Sequence, residues 1–373
     1  VAYALIWAGF LAYLAALAWA PRLGRRVVWS VIVALVAAFA CLPPLLSHDV
    51  YSYVDYARLG ALHGLNPYVH PPAAAPADPA FAQVTWTETT SAYGPLFTLA
   101  TYPLAWLPVG VAVYLLKAIS AAAVLATAAL VARLAPARGV DPLRAAAFVA
   151  LNPLVLVHVV GGPHNDAIAV LLMMLGVASI LTARETGAGA WLVAAVAVKA
   201  PAAISAPFAL LGSVNRPPTG RNVDSGLTFR PVGKLLVGAG LTVLVVGGLA
   251  YLGFGWHWLD AFTLAGESQD RTSHLSIPIT TARLTGLDPD TVRAAALALY
   301  TTFVIYLLTW TYRGGDWLRA AAWATFALLL ATAWLLPWYL LWPLPLAALS
   351  RDRLLQLLLL ALTAYQLGAR IPL

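Results

Sequence analysis

Apolar residues do not alternate along this chain. They gather into runs of roughly twenty, the length at which a helix crosses the hydrocarbon core of a bilayer, parted by short stretches of arginine, proline and glycine. Read against these breakers, spans are predicted near residues 2–20, 27–46, 109–132, 143–160, 165–183, 235–254, 292–312, 318–336, 338–350 and 354–371. The stretch 188–212, interrupted by Pro201 and Pro207, fits either one span or a hairpin of two half-helices. Backbone groups in lipid must be satisfied within helices or closed barrels, and the strand-like alternation of a barrel is missing. The predicted fold is therefore all-α, a polytopic membrane bundle of about 10–12 spanning or re-entrant helices.

Composition strengthens that picture. The 373 residues are 61% hydrophobic and 10% charged, whereas soluble domains carry roughly a quarter charged residues. Lys117, Lys199 and Lys234 are the only lysines, so the net charge of +7 is carried almost wholly by arginine. The arginines sit in short connections, at Arg22/Arg25/Arg26, Arg133/Arg138/Arg144, Arg184, Arg216/Arg221/Arg230, Arg313/Arg319 and Arg351/Arg353. Clusters of this kind between apolar runs mark the cytoplasmic side and call for membrane lipids, not nucleic acid, as the surroundings. Keeping all of them on one side requires 188–212 to dip in and return, with Pro201 at its tip. Cys41 is alone, which excludes a disulfide framework and a cysteine metal site. The segment Val1–Trp19 reads as a retained helix and not as a cleaved signal.

The opposite side then receives the long loops 47–94 and 256–291 and the short turn Gly161–Asp166, which hold most of the acids and histidines. No loop is long enough to bury a core of its own. The reading is one integral domain over 1–373: an accessory helix to residue 26, a core at 27–212, and C-terminal helices at 213–373.

Candidate chemistry concentrates in that polar face. Asp49 follows an apolar run and opens a helix predicted over Asp49–Gly64, whose spacing puts Asp49, Ser52, Tyr53 and Tyr56 on one face and Tyr51, Asp55 and Arg58 on another. A capping role and a catalytic role for Asp49 are equally compatible with that position. Tyr53 and Tyr93 suit a sugar platform or an interfacial belt, while the Gly94-Pro95 pair reads as loop punctuation ahead of a short surface helix. His164, Asn165 and Asp166 open a helix after a glycine turn, where they could hold sugar hydroxyls or an anion. Lys199 lies about ten residues from either end of its apolar segment, at a cost of roughly 2.5–3.5 kcal/mol if unpaired, and phosphate is the natural partner. Arg271 could add a bidentate phosphate contact, and Arg58 a further cation. His274, Trp338 and Tyr339 complete the residues placed toward sugar or acceptor. Metal-ligand spacings, phosphate loops and nucleophile elbows are missing.

Asp49-Val50-Tyr51-Ser52-Tyr53, Ser91-Ala92-Tyr93-Gly94-Pro95-Leu96, Asn152-Pro153-Leu154-Val155-Leu156 running into Gly161-Gly162-Pro163-His164-Asn165-Asp166-Ala167, Val198-Lys199-Ala200-Pro201, and Pro337-Trp338-Tyr339-Leu340-Leu341-Trp342 occur in this order. Together they resemble the actinobacterial polyprenol-phosphomannose-dependent α-1,6-mannosyltransferases of the GT-C superfamily, from about residue 27 to 349. The resemblance implies a sugar transferase with a polyprenyl-phosphate donor, a glycolipid or lipoglycan acceptor, no cofactor and an extracytoplasmic site. It also implies that the first-loop acid, Asp49 here, is the general base. A lipid-linked sugar flippase and a surface-polysaccharide polymerase or ligase stay open as alternatives.

Overall fold

The structure, a computed structural model, describes residues 2–214, 230–267 and 272–369. Among these residues every regular element is helical. The chain shuttles between two ends of a bundle. Helices α1 (Ala2–Trp19) and α2 (Arg25–Cys41) form the first pair. Pro43 and Pro44 follow, and proline brings no N–H to a helical ladder. A polar excursion comes next, built on α3 (Asp49–Ala61) and α4 (Pro95–Thr101). Helix α5 (Val109–Leu134) leaves it, and α6 (Pro142–Ala150) returns through a 62° bend into a π-helical turn, Val155–Gly161. Helices α7 (Asp166–Leu181) and α8 (Glu185–Val198) are antiparallel neighbours, and a 3-10 turn at Ala200–Ile204 leads to α9 (Ser205–Val214). The remainder comprises α10 (Arg230–Phe254), α11 (Asp260–Glu267), α12 (Ile277–Thr285), α13 (Pro289–Tyr312), α14 (Trp317–Ala331), a 3-10 turn at Pro337–Leu341, α15 (Leu344–Leu349) and α16 (Arg353–Ala369).

Helices α5, α10 and α13 are each long and apolar enough to cross a bilayer, and the bent α6 unit makes a fourth. Several predicted spans change. The run 143–160 is two pieces, because Pro153 removes a ladder donor and the Asn152 carboxamide takes the Leu154 N–H at 3.0 Å. The run 338–350 is no span but a 3-10 turn and the six-residue α15. The run 27–46 stops at Cys41.

The dipping hairpin is what the structure contains. Helix α8 starts beside the start of α10, where Gly238 lies so close that a β-carbon would overlap the Thr186 carbonyl oxygen. Helix α9 finishes with Gly212 against the Trp317 ring. Trp317 follows Asp316, which pairs with Arg138. Both ends of the excursion therefore meet at the arginine-bearing end, where Arg319 Nε also donates to Asp352 Oδ2 at 2.6 Å. Arg216 and Arg221 lie outside the described residues.

Lys117 in α5 is completely buried, and its ammonium donates to Gly161 O at 2.5 Å and Val160 O at 3.3 Å. Ser120 Oγ, one turn on, donates to Val159 O at 2.7 Å. Carbonyls at a helix end carry partial negative charge and no internal partner, so one helix caps the π-helical turn of another. Beneath this cap, Ala147, Met174, Val177 and Leu346 are fully buried.

Replacing Gly238 with alanine should force α8 and α10 apart at a cost of about 1–3 kcal/mol. The thermal inactivation midpoint of purified Gly238→Ala should fall. Gly240→Ala, where a β-carbon meets nothing within 4 Å, should not move it.

Candidate active site

The link between α2 and α3 is pinned across the π-helical turn, since Leu45 N donates to Gly161 O at 3.1 Å. Leu46 takes φ 55°, a left-handed conformation that non-glycine residues rarely hold. Asp49 then falls in the first turn of α3. The N-cap is His48, without a side-chain capping bond. The Asp49 carboxylate points elsewhere: Oδ1 accepts from Trp86 Nε1 at 3.2 Å, and Oδ2 lies 3.6 Å from His164 Nδ1. It is no helix cap.

The tip of the hairpin meets the start of α7. Lys199 Nζ donates to Asp166 Oδ2 at 2.5 Å and to Asn165 Oδ1 at 3.3 Å, and stands 5.7 Å from the centre of the Tyr339 ring. Trp342 Nε1 donates to Asp166 Oδ1 at 2.6 Å. The ammonium thus already has a carboxylate partner in Asp166 and an amide partner in Asn165, neither of which the sequence reading supplied. Gly94 docks this tip: its N–H donates to Val198 O at 3.1 Å, and a β-carbon would overlap Ala197 O. The Gly94-Pro95 pair therefore both ends the loop, as the N-cap and first residue of α4, and packs against the hairpin tip.

A cavity of about 490 Å³ opens between these elements. Asp49, Trp86, Tyr93, Lys199, Trp338 and Tyr339 supply its polar and aromatic lining. Ile204, Leu264, Leu297, Tyr300 and Leu328, from the hairpin and from α11, α13 and α14, and Trp334 just after α14, supply an apolar lining. Leu297 is 62% exposed, so the apolar side reaches the outer surface of the bundle. Burial pushes the Asp49 carboxyl above the ordinary aspartate range, against the opposing Lys199 charge and Trp86 N–H. Burial, reinforced by the Lys199 charge, holds His164 well below the usual histidine value, so its imidazole is neutral.

The predicted site residues therefore separate. Asp49, Lys199, Tyr93, Trp338 and Tyr339 line the cavity. His164, Asn165, Asp166 and Tyr53 are buried and lie outside the cavity lining. Tyr53 packs edge-on to Tyr93 at 4.7 Å and accepts the Asn165 N–H at 3.5 Å. Arg58 is drawn away: its Nε donates to Asp78 Oδ1 at 2.8 Å and its NH1 to Ala105 O at 2.6 Å. His274 is exposed outside the cavity lining, and Arg271 lies outside the described residues. Trp86 escaped the sequence reading, as did Lys117, although the cost argument that singled out Lys199 applies equally to Lys117.

Residues 1–215, more than half the chain, match the family model described as alpha-(1→6)-mannopyranosyltransferase, N-terminal domain. The chain belongs to this family. Residues 279–368 match the MptB C-terminal domain. Alpha-(1→6)-mannopyranosyltransferase A of Mycobacterium tuberculosis is 31% identical over 380 residues, covering 92% of this chain and 70% of its own length. The enzyme of the same name from Corynebacterium glutamicum is 29% identical over 66% of this chain. This chain spans about half of that relative's length. No solved structure matches significantly.

In this family member a second charged cluster braces α3 from behind. Asp78 binds Arg58 and lies 2.7 Å from His63 Nε2. Asp55 is buried with Oδ2 unpartnered. Burial first, and the Asp78 charge second, push Asp55 up to about 7. An acid with a raised folded-state pKa loses its stabilising contribution as pH rises, here from about 4 to about 7, by at most ~1.4 kcal/mol per pH unit. Asp55→Asn should flatten this loss when thermal midpoints of the two proteins are compared across that window.

Proposed function

We propose that this chain transfers mannose from a polyprenyl-phosphate donor to a hydroxyl of a glycolipid or lipoglycan acceptor, with inversion, at the extracytoplasmic face of a multi-pass bundle. The observation that carries the reading is one cavity holding a partly exposed carboxylate, Asp49, and a partly exposed ammonium, Lys199, next to an apolar lining that reaches the bundle surface. Such a lining suits an isoprenoid chain entering from lipid. Tyr93, Trp338 and Tyr339 offer aromatic surface to a sugar ring. Family membership and the names of the relatives support mannose as the sugar. The arginine-bearing end, opposite the cavity, supports the assignment of sides.

In a single displacement Asp49 takes the proton of the acceptor hydroxyl while that oxygen bonds to the anomeric carbon. The bond from that carbon to the phosphate oxygen breaks with its electron pair. A β-linked donor then yields an α-linked product, the inverting logic known from glycosidases. Phosphate leaves without a catalytic acid, provided that its charge is met. Lys199 has a third N–H beyond those given to Asp166 and Asn165, and its side chain lines the cavity.

Purified protein with radiolabelled polyprenyl-phosphate mannose and an oligomannoside acceptor tests this directly, with polyprenyl-phosphate arabinose as the competing donor. Asp49→Asn should lower kcat by about 10²–10⁴, the usual contribution of a general base. Turnover near wild type in that variant would remove Asp49 from the role. The base must be ionised, so kcat/KM should fall as pH drops through a value above the ordinary aspartate range. Lys199→Met should raise the donor KM by about tenfold or more, the loss of a charge-assisted contact.

A further inference from the structure

His164 sits where sugar cannot touch it. It is 1% exposed, lies outside the cavity lining, and stacks on Trp338 with ring centres 3.6 Å apart and planes at 16°. Neither ring nitrogen has a hydrogen-bond partner. An unpartnered polar group in a buried position is costly unless it acquires a partner in another state of the site. The nearest prospective partner is Asp49, whose Oδ2 is 3.6 Å from His164 Nδ1. That separation exceeds a hydrogen bond by about half an ångström. The histidine backbone is fixed, since its N–H donates to Val159 O at 3.2 Å and its carbonyl accepts from Ala167 N at 3.2 Å. The Asp49 side chain is 19% exposed and faces the open cavity, so the carboxylate is the partner free to adjust.

We propose that His164 is a positioning residue, a neutral imidazole that donates its Nδ1–H to Asp49 Oδ2 when the cavity is filled, so that Trp86 and His164 together orient the carboxylate. This rests on Asp49 being the base. The charged and titratable groups facing the pair are Lys199, Asp166, His48 and His158, together with the phenols of Tyr53, Tyr93 and Tyr339. Lys199 opposes a second positive charge at His164, which makes the imidazole a donor and not a proton store. A bond donated to the ionised carboxylate favours ionisation. Losing it raises the pKa of the base.

The test is the pH profile of kcat and kcat/KM for the full chain and for His164→Ala, His164→Asn, His164→Gln and Asp49→Asn. In His164→Ala we expect kcat to fall about tenfold and the acidic limb to rise by about one pH unit, with donor KM within about twofold of wild type. His164→Asn places an amide nitrogen near the Nδ1 position and should restore both. His164→Gln reaches toward the Nε2 position and should not. An unmoved acidic limb in His164→Ala, or a raised donor KM in its place, overturns the proposal. If His164→Ala fails to fold, identical profiles for the Asn and Gln variants overturn it equally. An active Asp49→Asn sinks the base assignment itself, whereas an inactive one with an unmoved His164→Ala limb sinks only the positioning role.

Discussion

The Lys199–Asp166 ion pair joins parts of the chain that are remote in sequence. Asp166 begins α7, Lys199 ends α8 at the hairpin tip, and Trp342, which closes the pair from the other side, follows the 3-10 turn at Pro337–Leu341. The Asp166 side chain is fully buried, and both of its oxygens are bonded. A buried pair of this kind adds little net stability when complete, but removing one partner costs about 3–5 kcal/mol because the other charge is stranded. The pair therefore acts as a register device. It sets how far the hairpin rises toward α7 and which donor of Lys199 is left facing the cavity.

The same physical demand is met differently one layer below. Lys117 finds no carboxylate; it is held by the carbonyls ending the π-helical turn. Its acceptor Gly161 O also takes the N–H of Leu45, in the strand of chain that delivers Asp49. One carbonyl at the end of the π-helical turn, three residues before His164, is thus shared by Lys117 and by the segment that leads to Asp49. Behind α3, Arg58 and Asp78 lock the helix from the side facing away from the cavity. Asp49 is held from three directions, by the π-helical turn, by Trp86 and by the brace behind α3. Such restraint is what the proposed role of Asp49 as a general base calls for.

The helical bundle was legible from hydropathy alone, because twenty-residue apolar runs have few other stable arrangements. The hairpin at 188–212 was legible from arginine placement, since a single span would scatter the basic connections over both sides. The π-helical bend at Asn152-Pro153 was not, because an apolar run looks continuous until a side chain competes for a ladder N–H. Arg58 was misread for a related reason. Its helix face was right, but its counter-charge, Asp78, stands twenty residues away in an irregular loop with no periodicity to locate it.

Sequence by itself determined that the fold is a helical bundle, which end bears the arginines, and that Asp49, His164 and Lys199 belong to the opposite end. These follow from transfer energies and charge placement, which act residue by residue. Tertiary structure alone decided which of those side chains face the cavity. It put Asp49, Lys199 and Trp86 on the open side, and turned His164, Asn165 and Asp166 into the wall. That choice depends on close backbone approaches, such as Gly94 against Ala197, and on a bend that rotates one helix end. Packing fixes such distances collectively, and no local pattern in the chain encodes them.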